Sequence, residues 1–441
     1  MLGEDKALEI LNKAVGYSDA DMTQASIGVG QSSLTRFANS VIHQNVSEYN
    51  AQLAVKAVVG KRVGSAMTNK LDEESVRSVA RKAAEFARNS PENPEFVTLP
   101  VAQPISDVDA YDARTADYSP EDRARDVAGM IAEGTKLGAS AAGQLSTGYE
   151  EYAVVNSLGV SAYYPSTMAT LTAVMAADTG FGYADRYASR ISDINPIEAA
   201  VEAATRSVRS KDPQPIEPGE YDVVLLPYAV TDLVEALSWL GLGAKSVQEG
   251  RSFMCGKMGE KITGENITIW DDGLDPNGIP RPFDAEGVPK QRIDLIVNGV
   301  GKAVVYDTFT AKKEGRESTG HATSAVGSPY PLATNIFMRP GDSSVEEMIA
   351  STKKGILVTR FHYTNVIHPI LTLVTGMTRD GTFLIENGKV TKPVMNMRFT
   401  DSYLERLANV EMISRDTMRQ GWTVVPAIKA RAFRFTGATE F

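Results

Sequence analysis

The chain has 441 residues, of which 45 are basic and 55 acidic, and a net charge of −10. That length supports two or three domains with ordinary hydrophobic cores, and the acidic balance, without a block of like charge, argues against the basic stripe of a nucleic-acid binder. The single cysteine, Cys255, excludes an internal disulfide and a cysteine-based zinc cluster, and no run approaches the roughly 18 apolar residues of a membrane helix.

The start of the chain has no basic n-region and no small-residue cleavage site, so a cytoplasmic protein without membrane association is expected. Ala7, Leu8, Ile10, Leu11, Ala14 and Val15 fall on one side of a helix over 5–15. Residues 24–65 alternate polar and apolar types in short runs suited to strands, with Gly60 and Gly64 as breaks. Asp72 is a predicted N-cap, because its carboxylate can accept the free amide protons of a first turn. Ser119-Pro120 and Asn195-Pro196 open two further helices, each with a capping side chain before proline. Between these, 152–164 reads as a hairpin turning at Asn156 to Gly159.

Residues 211–219 hold three prolines and mark a linker, which divides the chain into domains at 1–212 and 213–441. Beyond it, 221–227 reads as a buried strand and 229–242 as a helix. Asn-Gly pairs inside 295–307 and 383–394 predict tight two-residue hairpins, since both central residues need positive φ. The expected class is α+β: a mixed N-terminal α/β domain followed by a mainly antiparallel β-rich C-terminal domain with helices.

The common chemical motifs are missing or malformed. Gly250 to Lys257 ends like a phosphate loop, but its spacing is wrong and Met258 replaces the hydroxyl that would hold magnesium. No G-x-S-x-G elbow occurs, and Cys255 between Met254 and Gly256 reads as a small packing residue. The four histidines, His43, His321, His362 and His368, contain no pair at helical zinc spacing. His362 and His368 on one strand would stand about 20 Å apart at roughly 3.3 Å per residue, too far to share a metal.

Six stretches nevertheless occur in a telling order: 33–45, 59–76, 283–291 (FDAEGVPKQ), 306–322 (YDTFTAKKEGRESTGHA), 338–360 and 381–394. Together they resemble the TldD/PmbA family of peptide-maturing and peptide-degrading proteases. The resemblance implies two kinds of subunit. One carries a His-Glu-x-x-x-His helix that holds zinc, and the other lacks it and pairs with the first. The corresponding helix here, 231–250, keeps Glu235 but has no histidine, and 415–437 has no cysteine. The implied role is a non-catalytic, TldE/PmbA-type subunit without cofactor of its own, zinc residing on a TldD-type partner. The partner is that zinc subunit or a second copy, and the substrates are unfolded or extended peptides. Candidates for lining a substrate channel are Arg316, Ser318, Thr319, His321, His362, Tyr363 and His368. Two other functions are carried forward: an autonomous metal-dependent peptidase built on His321, His362 and His368, and a modulator that binds a DNA-associated enzyme such as gyrase.

Overall fold

The computed structural model describes residues 1–326 and 330–438. Six strands, β1 (Met22–Ala38), β2 (Val41–Val59), β3 (Arg62–Thr68), β4 (Ser140–Asn156), β5 (Ser161–Ala177) and β6 (Gly180–Ala188), form one sheet in the order β3-β2-β1-β4-β5-β6. Every pairing in it is antiparallel. The strands are far longer than the short runs expected: β1 and β4 have 17 residues each and β2 has 19. Gly64 does not break β3, because it lies inside the strand beneath a helix, where an added Cβ would stand 2.1 Å from the amide nitrogen of Ala87.

The core side chains are odd-numbered on β1, β2, β4 and β5, and the register makes them even-numbered on β3 and β6. Ala25, Ile27, Val29 and Leu53 pack beneath α1 (Glu4–Gly16) and α2 (Glu73–Asn89). After the short α3 (Ala113–Ala116), α4 (Pro120–Lys136) and α5 (Pro196–Arg209) cover Leu145, Leu171, Ala173 and Met175. Each larger aliphatic side chain buried there contributes about 1.5–3 kcal/mol. The caps form as the sequence implies: Asp72, Ser119 and Asn195 accept the amide protons of Ser75, Asp122 and Glu198. The opposite face, even-numbered on β1, β2, β4 and β5, carries no helix among the described residues and turns toward the second half of the molecule.

The second sheet takes all its strands from 219–438: β7 (Gly219–Leu225), β8 (Ile269–Asp271), β9 (Ile293–Val297), β10 (Val300–Gly301), β11 (Ile336–Met338), β12 (Lys354–His368), β13 (Leu373–Glu386), β14 (Lys389–Pro393), β15 (Met397–Ser402), β16 (Val410–Gln420) and β17 (Thr423–Ala438). Its main path runs β10-β9-β8-β11-β17-β15-β13-β12-β7, with β14 paired to β13 and β16 to β17. Two pairings, β7 with β12 and β11 with β17, are parallel, and the rest are antiparallel. Both predicted Asn-Gly turns form, with φ of 49° and 80° at Asn298 and Gly299 and of 49° and 76° at Asn387 and Gly388. The segment 211–219 is tied down at Gln214, which exchanges 3.0 Å backbone hydrogen bonds with Pro393 and Met395.

Helix α6 (Pro227–Leu237) follows β7 and buries Tyr228, Val230, Leu233, Val234 and Leu237. The helix expected to run to residue 242 instead loosens into a π turn over Ser238–Leu242. Ser238 Oγ donates to Ala333 O at 2.8 Å, and an added Cβ at Gly241 would stand 2.6 Å from the Phe253 ring and Ser252 Oγ. This close packing holds the wider turn, and such turns recur at functional sites. The fold class is α+β, as the sequence implies.

Candidate functional site

Between the free face of the first sheet and the second half lies a cleft with two lobes. One lobe has about 500 Å³ and the other about 540 Å³, and Gln52, Glu150, Ile279 and Arg281 line both. The floor is the even-numbered face: Gly28, Gly30 and Ser32 of β1, Glu48 and Asn50 of β2, Ser146 and Gly148 of β4. At Gly30 and Gly148 the close strand approach requires glycine. A Cβ added at Gly30 would stand 2.6 Å from Tyr149 O, and one at Gly148 would stand 2.3 Å from Gln31 O, each a backbone atom of the paired strand.

The opposite wall starts with the end of α6. The π turn swings Trp239 outward, 47% exposed, where it stacks on Tyr330 at 6.2 Å and meets Trp422 edge-on at 5.6 Å. Tyr330 returns a hydrogen bond to Trp239 O at 3.3 Å. Glu235 lies one turn earlier; burial lifts its carboxyl to about 7, against a hydrogen bond from Trp422 that favours the charged form. Its neighbour on the helix, Asp232, is also raised by burial while it accepts Tyr403 OH at 2.6 Å and Thr364 Oγ1 at 2.9 Å.

Beneath this wall the turn 283–290 docks on the first sheet. Phe283 packs edge-on against Tyr164 at 5.1 Å, and Tyr152 OH donates to Ala285 O at 2.9 Å. Gly287, at φ 83°, leaves room for Val160, which an added Cβ would approach to 2.5 Å. Asp284 is buried and raised, first by desolvation and then by Glu286; its oxygens accept the amide protons of Glu286, Val288 and Ala322. Glu286 accepts from Thr308 N at 3.1 Å and faces Lys56 of β2 at 3.7 Å, which ties the two halves together.

His321 sits at the base of the cleft, fully buried. Its Nε2 donates to Asp271 Oδ1 at 2.8 Å, and Thr319 Oγ1 lies 2.9 Å from its Nδ1. The other Asp271 oxygen accepts the amides of Thr334 and Asn335, both at 2.8 Å. Burial, and then the nearby Lys290, press His321 toward its neutral form. A neutral imidazole with both nitrogens engaged is a scaffold, with no lone pair free for a metal.

The structure divides the seven sequence candidates. Ser318, Thr319 and His321 come together on one loop, where Ser318 Oγ donates to Tyr306 O at 3.2 Å and Thr319 Oγ1 accepts the Tyr306 amide proton at 2.7 Å, its own proton left for His321 Nδ1. Arg316 turns away, its guanidinium 5.6 Å over the Tyr306 ring and 3.4 Å from Glu314. His362, Tyr363 and His368 share β12, where register shifts after His362 and Val366 interrupt the alternation that would align the two rings. Tyr363 is 75% exposed with φ 56°, and the exposed His368 accepts the Leu371 amide proton at 3.3 Å. Of the seven, only His321 lines the cleft, in its lobe of about 500 Å³. Sequence reasoning missed Trp239, Tyr330, Trp422, Arg281 and Arg419; the scarcity of tryptophan, three in the chain with two in this cleft, was the available signal.

Among the described residues, no group of three or more His, Cys, Asp or Glu side chains is placed to hold a metal ion. Nor is any helix long and apolar enough to cross a membrane. Three family models match in succession: PmbA/TldA metallopeptidase domain 1 over 25–87, the central domain over 95–211 and the C-terminal domain over 218–437. A metalloprotease of Methanothermobacter thermautotrophicus is 29% identical over 48% of this chain and 46% of its own length, so the chain spans about half of that relative. Metalloprotease PmbA of Escherichia coli O157:H7 is 24% identical over 94% of this chain and 91% of that protein. The crystal structure of TldE from Thermococcus kodakarensis shares the fold, with a TM-score of 0.89, 20% identity and coverage of 97% of this chain and 99% of that one. With its matched segments in domain order along nearly the whole sequence, the chain belongs to the PmbA/TldD metallopeptidase family.

Proposed function

We propose that this chain is the non-catalytic subunit of a TldD/TldE-type metallopeptidase complex, acting in the cytoplasm on flexible peptides. The observation that carries the reading is the helix end facing the cleft. Setting the glutamate of a His-Glu-x-x-x-His motif on Glu235 puts Val234 and Trp239 at the two histidine positions, and neither side chain has a ligating atom. The residues present do not fit zinc. Glu235 is half-buried beside the Trp422 indole, and a carboxyl without a metal-bound water beside it has no activated nucleophile to deprotonate.

What the cleft offers instead is binding. Its floor is a smooth sheet face, and beside it the stretch of β2 before Leu53 has, among the described residues, no strand on its outer edge, because β3 pairs only with Leu53 to Val59. An extended chain can add to such an edge through backbone hydrogen bonds, which give affinity with little sequence selectivity. A zinc-bearing subunit of the same family is the partner that would supply cleavage. The autonomous-peptidase reading is disfavoured by the histidines themselves: His321 is buried with both nitrogens engaged, and His362 and His368 sit on the β12–β13 hairpin, outside the cleft.

The reading is tested by reconstitution. Purified chain is expected to leave an unstructured peptide intact, and hydrolysis is expected when a TldD-type subunit with intact His-Glu-x-x-x-His is added beyond the rate of that subunit alone. Hydrolysis by this chain alone, abolished by a chelator, would remove the proposal.

A further inference from the structure

Two guanidiniums in the cleft have no counterpart. Arg281, on the loop that forms the far wall, is exposed to the cleft, and Arg419, on β16, is half-buried in the lobe they share. Among the described residues neither side chain makes a hydrogen bond or an ion pair, although 26 ion pairs form elsewhere in the molecule. Arg419 Nε is buried and without a partner, and desolvation draws that guanidinium down to about 10. The carboxylates that influence them, Glu150 for Arg281 and Asp193 for Arg419, act only at a distance beyond a salt bridge. Removing a cation from water without a partner costs several kcal/mol, so folded proteins pair such groups or reserve them for a ligand.

The surroundings suit an anion with a backbone attached. The same lobe is floored by Gly28, Gly30, Ser32, Ser146 and Gly148, which leave space and offer hydroxyl donors. Arginine's planar fork matches a carboxylate bidentately, and the glycine floor lets a main chain lie close to the sheet. Glu48 and Glu150 also face this lobe and offset its two cations overall, so a single carboxylate gripped directly by the guanidiniums is favoured over a polyanion.

We propose that Arg281 and Arg419 form a carboxylate-binding site that anchors a peptide in this chain's own cleft. This rests on the reading of the cleft as a peptide-binding surface and names the group it grips. The carboxylate is either a chain terminus or a single acidic side chain. Its capture fixes the direction and register in which the peptide lies on the sheet, a function that edge pairing alone leaves undefined.

Isothermal titration calorimetry on the purified full chain tests it with three unstructured octapeptides of Ala, Ser and Leu. One has a free C-terminus, one a C-terminal amide, and one an amide with a single internal Glu. Binding of the free acid, at least tenfold tighter than the neutral amide, is expected, with Arg281→Gln and Arg419→Gln each weakening it at least tenfold. The exposed Arg281 makes its variant safe for folding, and Arg419→Lys keeps the charge and should give a smaller loss. Binding of the Glu-containing amide as well assigns the site to any carboxylate, and its failure assigns the site to a chain terminus; either supports the proposal. Equal affinity of the neutral amide and both carboxylate-bearing peptides, undiminished affinity in both Gln variants, or no binding of any peptide overturns it. In each of those cases the reconstitution assay still judges the non-catalytic subunit reading separately.

Discussion

The N-terminal wall of the cleft presents mostly glycine and small hydroxyl residues, with Glu48 and Glu150, on long paired strands, whereas the C-terminal wall presents indoles and two guanidiniums on a helix end, a loop and the end of β16. On the first wall the backbone itself is the surface, so its composition is dictated by strand packing. On the second, the projecting side chains make few contacts that the fold needs. The contrast separates structural from functional cost: damage to the floor should unfold the protein, and damage to the wall should leave it folded and alter what it binds.

The sharpest break is Gly148→Val. With a Cβ 2.3 Å from Gln31 O, β1 and β4 must separate, and a loss of about 3 kcal/mol or more is expected in urea titration. A fully folded, wild-type-stable variant would show that the floor does not depend on close strand approach. Next is His321→Ala, which removes a buried ring hydrogen-bonded at both nitrogens and leaves Asp271 with its two backbone donors only. About 3 kcal/mol of destabilisation is expected. A loss of peptide binding at unchanged melting temperature would instead make His321 part of the binding surface.

Glu235→Gln tests the wall by pH. Its folded carboxyl is raised from 4.5 to about 7, so the folded state keeps a proton that the unfolded chain releases, and wild-type stability falls as pH rises through that window. Gln, always neutral, removes the loss: the variant should match wild type near pH 4 and exceed it by about 2 kcal/mol at pH 8. Parallel pH profiles would show that Glu235 titrates normally. The smallest effect belongs to Trp239→Ala. Half exposed at the cleft mouth, Trp239 should cost no more than about 1 kcal/mol, and peptide-induced change in tryptophan emission should fall with it. A loss as large as that of Gly148→Val would erase the distinction between the walls.

The same division explains what the sequence revealed. Caps at Asp72, Ser119 and Asn195 and turns at Asn298-Gly299 and Asn387-Gly388 are decided by neighbours within four residues, and each was readable. The parallel pairing of β7 with β12 joins residues more than 130 positions apart and leaves no local mark. Gly64 looked like a break because its true partner, the backbone of α2 at Ala87, is 23 residues away. The cleft was hidden for the same reason: Arg281, Arg419, Trp239 and Trp422 converge only through tertiary packing. The division of the chain into two domains at 212/213 is likewise our proposal, placed where the proline-bearing segment passes from the first sheet to the second.

The central claim, that this chain brings a cleft to a complex whose metal is carried by another subunit, is met most directly by native mass spectrometry of the chain alone and with a TldD-type subunit. A metal-free species alone and a 1:1 complex with one zinc ion, retained by the TldD-type subunit on separation, is the predicted result. One tightly held zinc per molecule of the isolated chain would contradict it.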